Sequence, residues 1–439
     1  MNSVATNRYL ESLLAGQAAV AAQPGLAALR AHALERANAL TVPSTRDEDW
    51  RFTDLTPLYQ LAFRPAVRGA IPSLEALAPW LIPDAAARLV FIDGMLAASL
   101  STPSAVEGIE AMSIADGLET HRDAVLAHIG RIAPCDADAF RAINTAFLQD
   151  GAFVMARRNA ASVRPVQVLH VSTQADVAVH PRLLVIAETG SDITVIEEFI
   201  ALGEKVIAPG ARASCSNSVA EFAVGENARV RHTRVQQESM AAFHIGACVA
   251  KLARTAAYEA VSLAFGARIS RLGHTVEIAG EGARCRLDGL ALIGGSQLAD
   301  THSLIDHAVP HGESRQVHKC VVGGSGHTVF NGRVMVRKDA QLTDSAQESR
   351  NLLLSPRARV DTKPQLEIFA DDVKCAHGAT VGQLDSEEVF YLRSRGFGEA
   401  EARRLLTYAF AAEVVDRIPA PSVVARLRGS VLDHTRDAA

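Results

Sequence analysis

Residues 225–284 read GENARVRHTRVQQESMAAFHIGACVAKLARTAAYEAVSLAFGARISRLGHTVEIAGEGAR. The words at the two ends match: Gly225 to Arg229 (GENAR) and Gly280 to Arg284 (GEGAR), with Thr255-Ala256 between them. Each heads a short Val/Ile/Leu-rich run of strand type, and no amphipathic helix of ten or more residues intervenes. Similar markers follow at Gly312 to Arg315 and Lys338 to Ala340. Taken at Ala228, Ala256, Ala283, Ser314 and Ala340, they recur at intervals of roughly 26–31 residues, within the range of solenoid repeats. In a solenoid each repeat buries its apolar face against its neighbours. A parallel sheet of βαβ type needs crossover helices, and these are missing. The pattern from Pro165 to about Leu384 therefore predicts a parallel β-helix, with a large β-sandwich as the rival, because spacing alone cannot assign strand pairing.

The texture differs on either side. The first forty residues carry helical spacing broken at Pro24-Gly25. Asp93-Gly94 marks a hairpin turn, and a helical segment runs from Ser113 to about Gln149 with a break near Pro134. After the repeats, Ser386 reads as an N-cap followed by Glu387 and Glu388. A second helix from Glu399 to about Arg417 places Ala402, Leu405, Leu406, Ala409 and Phe410 on one face. A third spans Ser422 to Leu432. The chain divides into a mainly helical region with a short strand pair (1–160), a β-helix core (161–385) and a C-terminal helical domain (386–439). Helices at both ends suit a solenoid, whose exposed end coils need capping.

Composition sets limits. A chain of 439 residues with 48% hydrophobic and 21% charged residues is globular and long enough for two or three domains. The formal charge of −5 comes without a basic block, which argues against nucleic acid as a partner. No apolar run reaches the length a membrane span needs, and the N-terminus lacks the form of a secretory signal. Six cysteines are scattered singly along the chain, at 135, 215, 248, 285, 320 and 375. This is neither a disulfide framework nor a ferredoxin-type ligand set, and it predicts a reduced, cytoplasmic setting.

The densest chemistry sits in residues 361–382, DTKPQLEIFADDVKCAHGATVG. In a strand, Cys375 and His377 face one side while Ala376 faces the other. Thiolate and imidazole suit iron, zinc or copper, but two ligands leave a tetrahedral site incomplete. The residues alone admit two interpretations, a half-built metal site or a small buried thiol beside a histidine satisfied within a turn. These words, together with FYLRSRG (390–396), resemble the SufB/SufD family of iron–sulfur cluster assembly scaffold subunits, and the SufD branch in particular. Asp49 to Thr53 (DWRFT), Asn144 to Phe147 (NTAF) and Val329 to Gly332 (VFNG) extend the resemblance over most of the chain.

The resemblance implies a right-handed parallel β-helix and a non-catalytic scaffold subunit of the SUF complex. It implies a SufB partner at the C-terminal end of the β-helix and a SufC ATPase partner on the C-terminal helices around Tyr391 to Phe410, with Arg393, Arg395 and Arg403 exposed there. It makes His377 a metal ligand at the SufB interface, holding iron or a nascent cluster transiently, with Cys375 as a candidate second ligand. Homodimerisation and a flavin in the assembled complex are left open. The alternatives are a SufB-type scaffold subunit and, more remotely, a β-helix carbohydrate-active enzyme. The latter needs paired carboxylates and commonly a secretion signal, neither of which is evident.

Other features carry blander expectations. His302, His307, His311, His318, Cys320 and His327 are dense in sequence but match no zinc spacing, so they are expected to scatter over successive coils. Gly323 to Thr328 (GGSGHT) lacks the Gly-Lys-[Ser/Thr] ending and a following helix, and reads as a turn rather than a phosphate loop. Trp50 is expected to anchor its loop on the core. The pairs Glu197-Glu198 and Asp371-Asp372 are expected at turns or edges.

Overall fold

A computed structural model describes residues 7–20, 23–104, 106–203 and 211–437. From Arg182 onward the strands alternate between two sheets, each pairing in parallel with the next but one, and Val166–Ser172 pairs in parallel with Asp192–Ala201. The first sheet stacks Cys215–Val224, Phe243–Leu252, Ile269–Ile278, Leu298–His307, His327–Val336 and Arg359–Ile368. The second stacks Asp192–Ala201, Arg229–Gln237, Ala257–Ala264, Arg284–Ile293, Glu313–Val322, Thr343–Leu353 and Val373–Gly382. The chain is a β-solenoid flanked by helices, and the sandwich alternative is excluded by the parallel pairing.

The register corrects the repeat length at its later steps. Arg229 pairs with Ala257, Ala257 with Arg284, Arg284 with Glu313 and Glu313 with Asp344. The last of these steps is the longest, where the sequence markers make it the shortest. What recurs is a backbone conformation rather than a word. Two residues before each of these positions lie Asn227, Thr255, Gly282, His311 and Leu342, every one with positive φ between 54° and 70°. Four of these residues donate their N–H across to the next coil: Asn227 to Arg254 O, Thr255 to Glu281 O, His311 to Gln341 O and Leu342 to Asp372 O. Those bonds offset the roughly 1–2 kcal/mol that a side chain costs in this region. Because Asn, Thr, His and Leu all occupy the turn, Ser314 and Ala340 are misleading markers.

The sheets also begin earlier than residue 161. Ala87–Ile92 pairs in parallel with Val166–Ser172, and Ala152–Ala156 with Arg182–Ala187. Asp93 and Gly94, at φ 49° and 86°, form the expected hairpin turn into Met95–Leu96. The helical stretch after Ser113 resolves into Ile114–Thr120, Arg122–His128 and Ala139–Ala146, and the two N-terminal helices are Arg8–Ala15 and Ala27–Ala39.

A buried polar knot ties this N-terminal region to the solenoid. Arg182 and Glu221, both fully buried, pair side chain to side chain. Arg182 also donates to Asn144 Oδ1 at 2.9 Å and Thr145 Oγ1 at 3.1 Å. Glu221 accepts the Gly130 and Ala133 amides. Asn144 Nδ2 donates to the Pro181 and Asn217 carbonyls, so the NTAF helix is riveted to two strands.

Of the C-terminal helices, Glu399–Val415 and Pro421–Asp437 cover the outer face of the second sheet, and Ser386–Ser394 packs on Glu399–Val415. Helix Glu399–Val415 buries Thr407, Ala411, Val414 and Val415. Of the face expected from sequence, Ala402 is buried and Phe410 packs under Lys319, but this stripe lies about half a turn away from Leu405, Leu406 and Ala409. Leu405 and Leu406 remain half-buried and Ala409 is exposed. Three charges on the sheet meet partners on the helices: Lys319 with Glu413, Asp288 with Arg417 at 2.5 Å, and Glu198 with Arg426.

Candidate functional site at the open end of the solenoid

The last strand of each sheet, Arg359–Ile368 and Val373–Gly382, pairs on one side only among the described residues. Their outer edges present unpaired N–H and C=O groups, a template for another chain. Ile368, Phe369 and Val381 stand 39%, 63% and 50% exposed around this end, where lower coils bury their apolar groups. The solenoid ends without a cap at the place where Cys375 and His377 sit.

Both residues lie on Val373–Gly382 and point to the coil interior. Their register partners, Ser345 and Gln347 on Thr343–Leu353, are buried, whereas the alternate residues Asp344 and Ala346 are less so. Cys375 is half-buried and packs with Val334, Val336, Ala340 and Ala370. Burial pushes its thiol above the ordinary range, a Ser345 backbone hydrogen bond works against this, and Asp344 adds to it. The thiol form is therefore the one favoured at rest. His377 is exposed because no coil lies above it.

The remaining sequence candidates disperse. His302 faces outward at 3.1 Å from Asp300, and His311 is on an exposed turn near Glu281. His307 and His318 are buried, and burial holds both near 4. His318 stacks on Phe330 with 4.5 Å between centroids, Cys320 is fully buried, and His327 meets Asp361 at 2.7 Å. Gly323 to Gly326 turn directly into strand His327–Val336, as expected of a turn. Asp371 and Asp372 occupy the exposed turn before the last strand. Glu197 and Glu198 depart from expectation, since both are buried in the middle of Asp192–Ala201. Glu197 meets Arg234 at 2.6 Å inside the solenoid; burial alone would raise its pKa, but Arg234 and two histidines hold it well below the carboxylate range.

Trp50 anchors its loop, stacking on Phe140 at 5.6 Å with the Arg271 guanidinium 3.8 Å from its ring centre. The cleft of about 250 Å³ beside it has matched charges, Arg141 with Asp138, Arg271 with Asp300 and Arg333 with Glu367. Among the described residues, one three-donor cluster with metal-binding chemistry occurs elsewhere, His32, Cys135 and Asp136. Arg36 lies 2.7 Å from Asp136 there and already balances the carboxylate.

An open solenoid end bearing a thiol and an imidazole finds its context in known proteins. Residues 170–410 match the SUF system FeS cluster assembly SufBD core domain, and residues 6–168 match the SufBD protein N-terminal region. The chain belongs to the SufBD family. It is 36% identical over 410 residues to a SufBD family iron–sulfur cluster assembly protein of Synechocystis, covering 92% of this chain and 90% of that one. It is 32% identical over 382 residues to the iron–sulfur cluster assembly protein SufD of Escherichia coli, covering 86% and 85%. The SufD of Bacillus subtilis is 30% identical over 295 residues, 66% of each chain. This SufBD protein is thus an iron–sulfur cluster assembly protein, and none of its described helices is long and apolar enough to cross a membrane.

The family words acquire physical roles in the structure. The NTAF helix supplies the Arg182 knot, and DWRFT places Trp50 and Thr53 on the first sheet, where Thr53 Oγ1 donates to Asp300 Oδ2 at 2.5 Å. Sequence reasoning missed the buried polar ladder of the last coils, made by Ser303, Ser314, Gln316, Ser345 and Gln347. The usable signal was the run of polar residues at alternate positions, which resembles a solvated face until the opposite parity proves half-exposed.

Proposed function

We propose that this SufBD protein is the SufD-type scaffold subunit of a SufB–SufC–SufD complex, and not itself an enzyme. In this reading its open solenoid end joins a SufB partner, edge strand to edge strand, around a transient iron or nascent cluster. The observation that carries the proposal is the uncapped pair of edge strands, with Cys375 and His377 on the inward face of the outermost one. A neutral imidazole offers iron a lone pair, Cys375 offers thiolate after releasing its proton to solvent, and the partner completes the set. The iron is cargo, so a site with few ligands from each chain suits handover better than a closed cage.

SufC, the ATPase, docks on the C-terminal helices. Phe390 and Tyr391 are 70% and 55% exposed beside Arg393 and Arg395. The half-buried Leu405 and Leu406, turned away from the sheet, extend that surface.

The test is to purify the complex carrying His377→Ala and measure bound iron and acid-labile sulfide against the parent. Loss of both with intact assembly is expected, and Cys375→Ser should lower loading if the thiol is a ligand. Unchanged loading in His377→Ala removes its ligand role. Failure of the complex to assemble makes the histidine a structural residue of the interface.

A further inference from the structure

The interior of the last coils carries a ladder of amides that stops one rung short. Gln316 Nε2 donates to Ser303 Oγ at 2.8 Å. One coil up, Gln347 Nε2 donates to Gln316 Oε1 at 2.8 Å. With Gln316 Oε1 turned to it, the Gln347 amide takes this orientation, because the flipped form would set two carbonyl oxygens against each other. Gln347 Oε1 is then left buried without a partner. An orphaned buried acceptor costs about 1–3 kcal/mol, so its retention calls for a reason.

The next rung is His377. Gln316, Gln347 and His377 are consecutive register partners on three parallel strands. Strands in such a stack are about 4.8 Å apart. The step that brings Gln347 to Gln316 at 2.8 Å therefore brings a ring N–H of His377 towards Gln347 Oε1 once a partner closes the end. Space for the ladder is supplied by Gly332 of the VFNG word, where a Cβ would lie 2.2 Å from Gln347 Nε2.

We propose that Gln347 is a positioning residue that accepts one ring N–H of His377, fixing the tautomer whose other nitrogen presents its lone pair to iron. The inference rests on His377 being a ligand, as proposed above. Ligating histidines generally donate their second nitrogen to such an acceptor, and loss of the acceptor weakens metal binding by about 10- to 100-fold.

The experiment uses the full chain and its complex. Ring-nitrogen chemical shifts of labelled histidine, assigned by the signal missing in His377→Asn, report the tautomer without metal. One tautomer is expected in the assembled parent complex, a mixture in Gln347→Leu, and one again in Gln347→Glu, which keeps an oxygen at the same place while the Gln316 amide turns over to offer its Nε2 to the new carboxylate and its Oε1 to Ser303 Oγ. Iron retention should fall at least ~10-fold in Gln347→Leu and recover in Gln347→Glu. A single tautomer in Gln347→Leu overturns the inference, as does iron retention equal to the parent's. Loss of iron in Gln347→Leu with no recovery in Gln347→Glu also counts against it, since that marks a packing defect. If His377→Ala keeps its iron, the ligand reading fails separately, and the tautomer comparison still decides whether Gln347 orients the ring.

Discussion

The guanidinium of Arg271 lies 3.8 Å from the centre of the Trp50 ring, pinning a loop near the N-terminus to the third strand of the first sheet's main stack. Arg271 is in turn held by Asp300, which also takes Thr53 Oγ1 and His302. Burial alone would raise the Asp300 pKa, but Arg271 and the other partners bring it down to about 2. One carboxylate thus organises the contact between two parts of the chain that are far apart in sequence.

Trp50→Ala should release that loop without unfolding the solenoid. Loss of buried ring area and of the cation–π contact amounts to about 2–3 kcal/mol. Urea unfolding should show an early, partial transition, and proteolysis should cut near residues 44–54. A single transition at the parent's midpoint would contradict the anchoring role.

Arg182→Leu should be far more damaging. It leaves the Glu221 carboxylate buried, with only the Gly130 and Ala133 amides for company. Breaking one side of a buried pair costs about 3–5 kcal/mol. Adding Glu221→Leu should recover only part of this, because it orphans those two amides. Full recovery would mean that neither the ion pair nor its bonds to the two amides contributes net stability.

Acid should destabilise the protein well above the carboxylate range. Burial lowers His180 and His274 to about 3 and His307 and His318 to about 4. An unfolded chain protonates such residues near 6.5, so their neutral burial is without penalty above that pH. Stability is then lost progressively as pH falls from about 6.5 towards 4 and 3. The urea midpoint should fall steeply over this window, and a flat profile from pH 6.5 to 5 would refute the assignment.

Partner docking on the C-terminal helices is best tested at the surface. Phe390→Ala with Tyr391→Ala removes exposed rings, so the melting temperature should stay within a degree or two of the parent's while SufC binding weakens about tenfold or more, as truncated aromatic anchors do. Removing everything from Ser386 is a poorer test. It would uncover the apolar outer face formed by Leu263, Phe265, Leu290, Leu292 and Val321, along with the buried Lys319, Asp288 and Glu198. Binding that survives the double substitution unchanged would place the ATPase elsewhere.

Much of the architecture was legible in the order of residues, because it rests on local rules. Alternating short strands without crossover helices, a recurring turn and flanking helical periods all depend on near neighbours in the chain. The same holds for Cys375 and His377, whose shared face follows from strand parity once Val373–Gly382 is known to be extended. The repeat could be followed only while its turns kept the same residues. It slipped at Ser314 and Ala340, because a left-handed turn that donates a hydrogen bond to the next coil accepts Asn, Thr, His or Leu as well as the Gly that such a turn favours.

What tertiary structure alone decided are relations between distant residues. Which residues of helix Glu399–Val415 face the sheet depended on a sheet that offers Lys319 and Asp288 as partners; local apolar spacing picked out Ala402 and Phe410, but also Leu405, Leu406 and Ala409, which are left half-buried or exposed. Whether Glu197 sits at an edge or in the interior depended on Arg234, a residue on the neighbouring coil. That Gln347 Nε2 finds an acceptor while its Oε1 finds no donor depended on Gln316 in the coil below. Periodicity encodes which face a side chain takes; only the stacking of coils determines what meets it there.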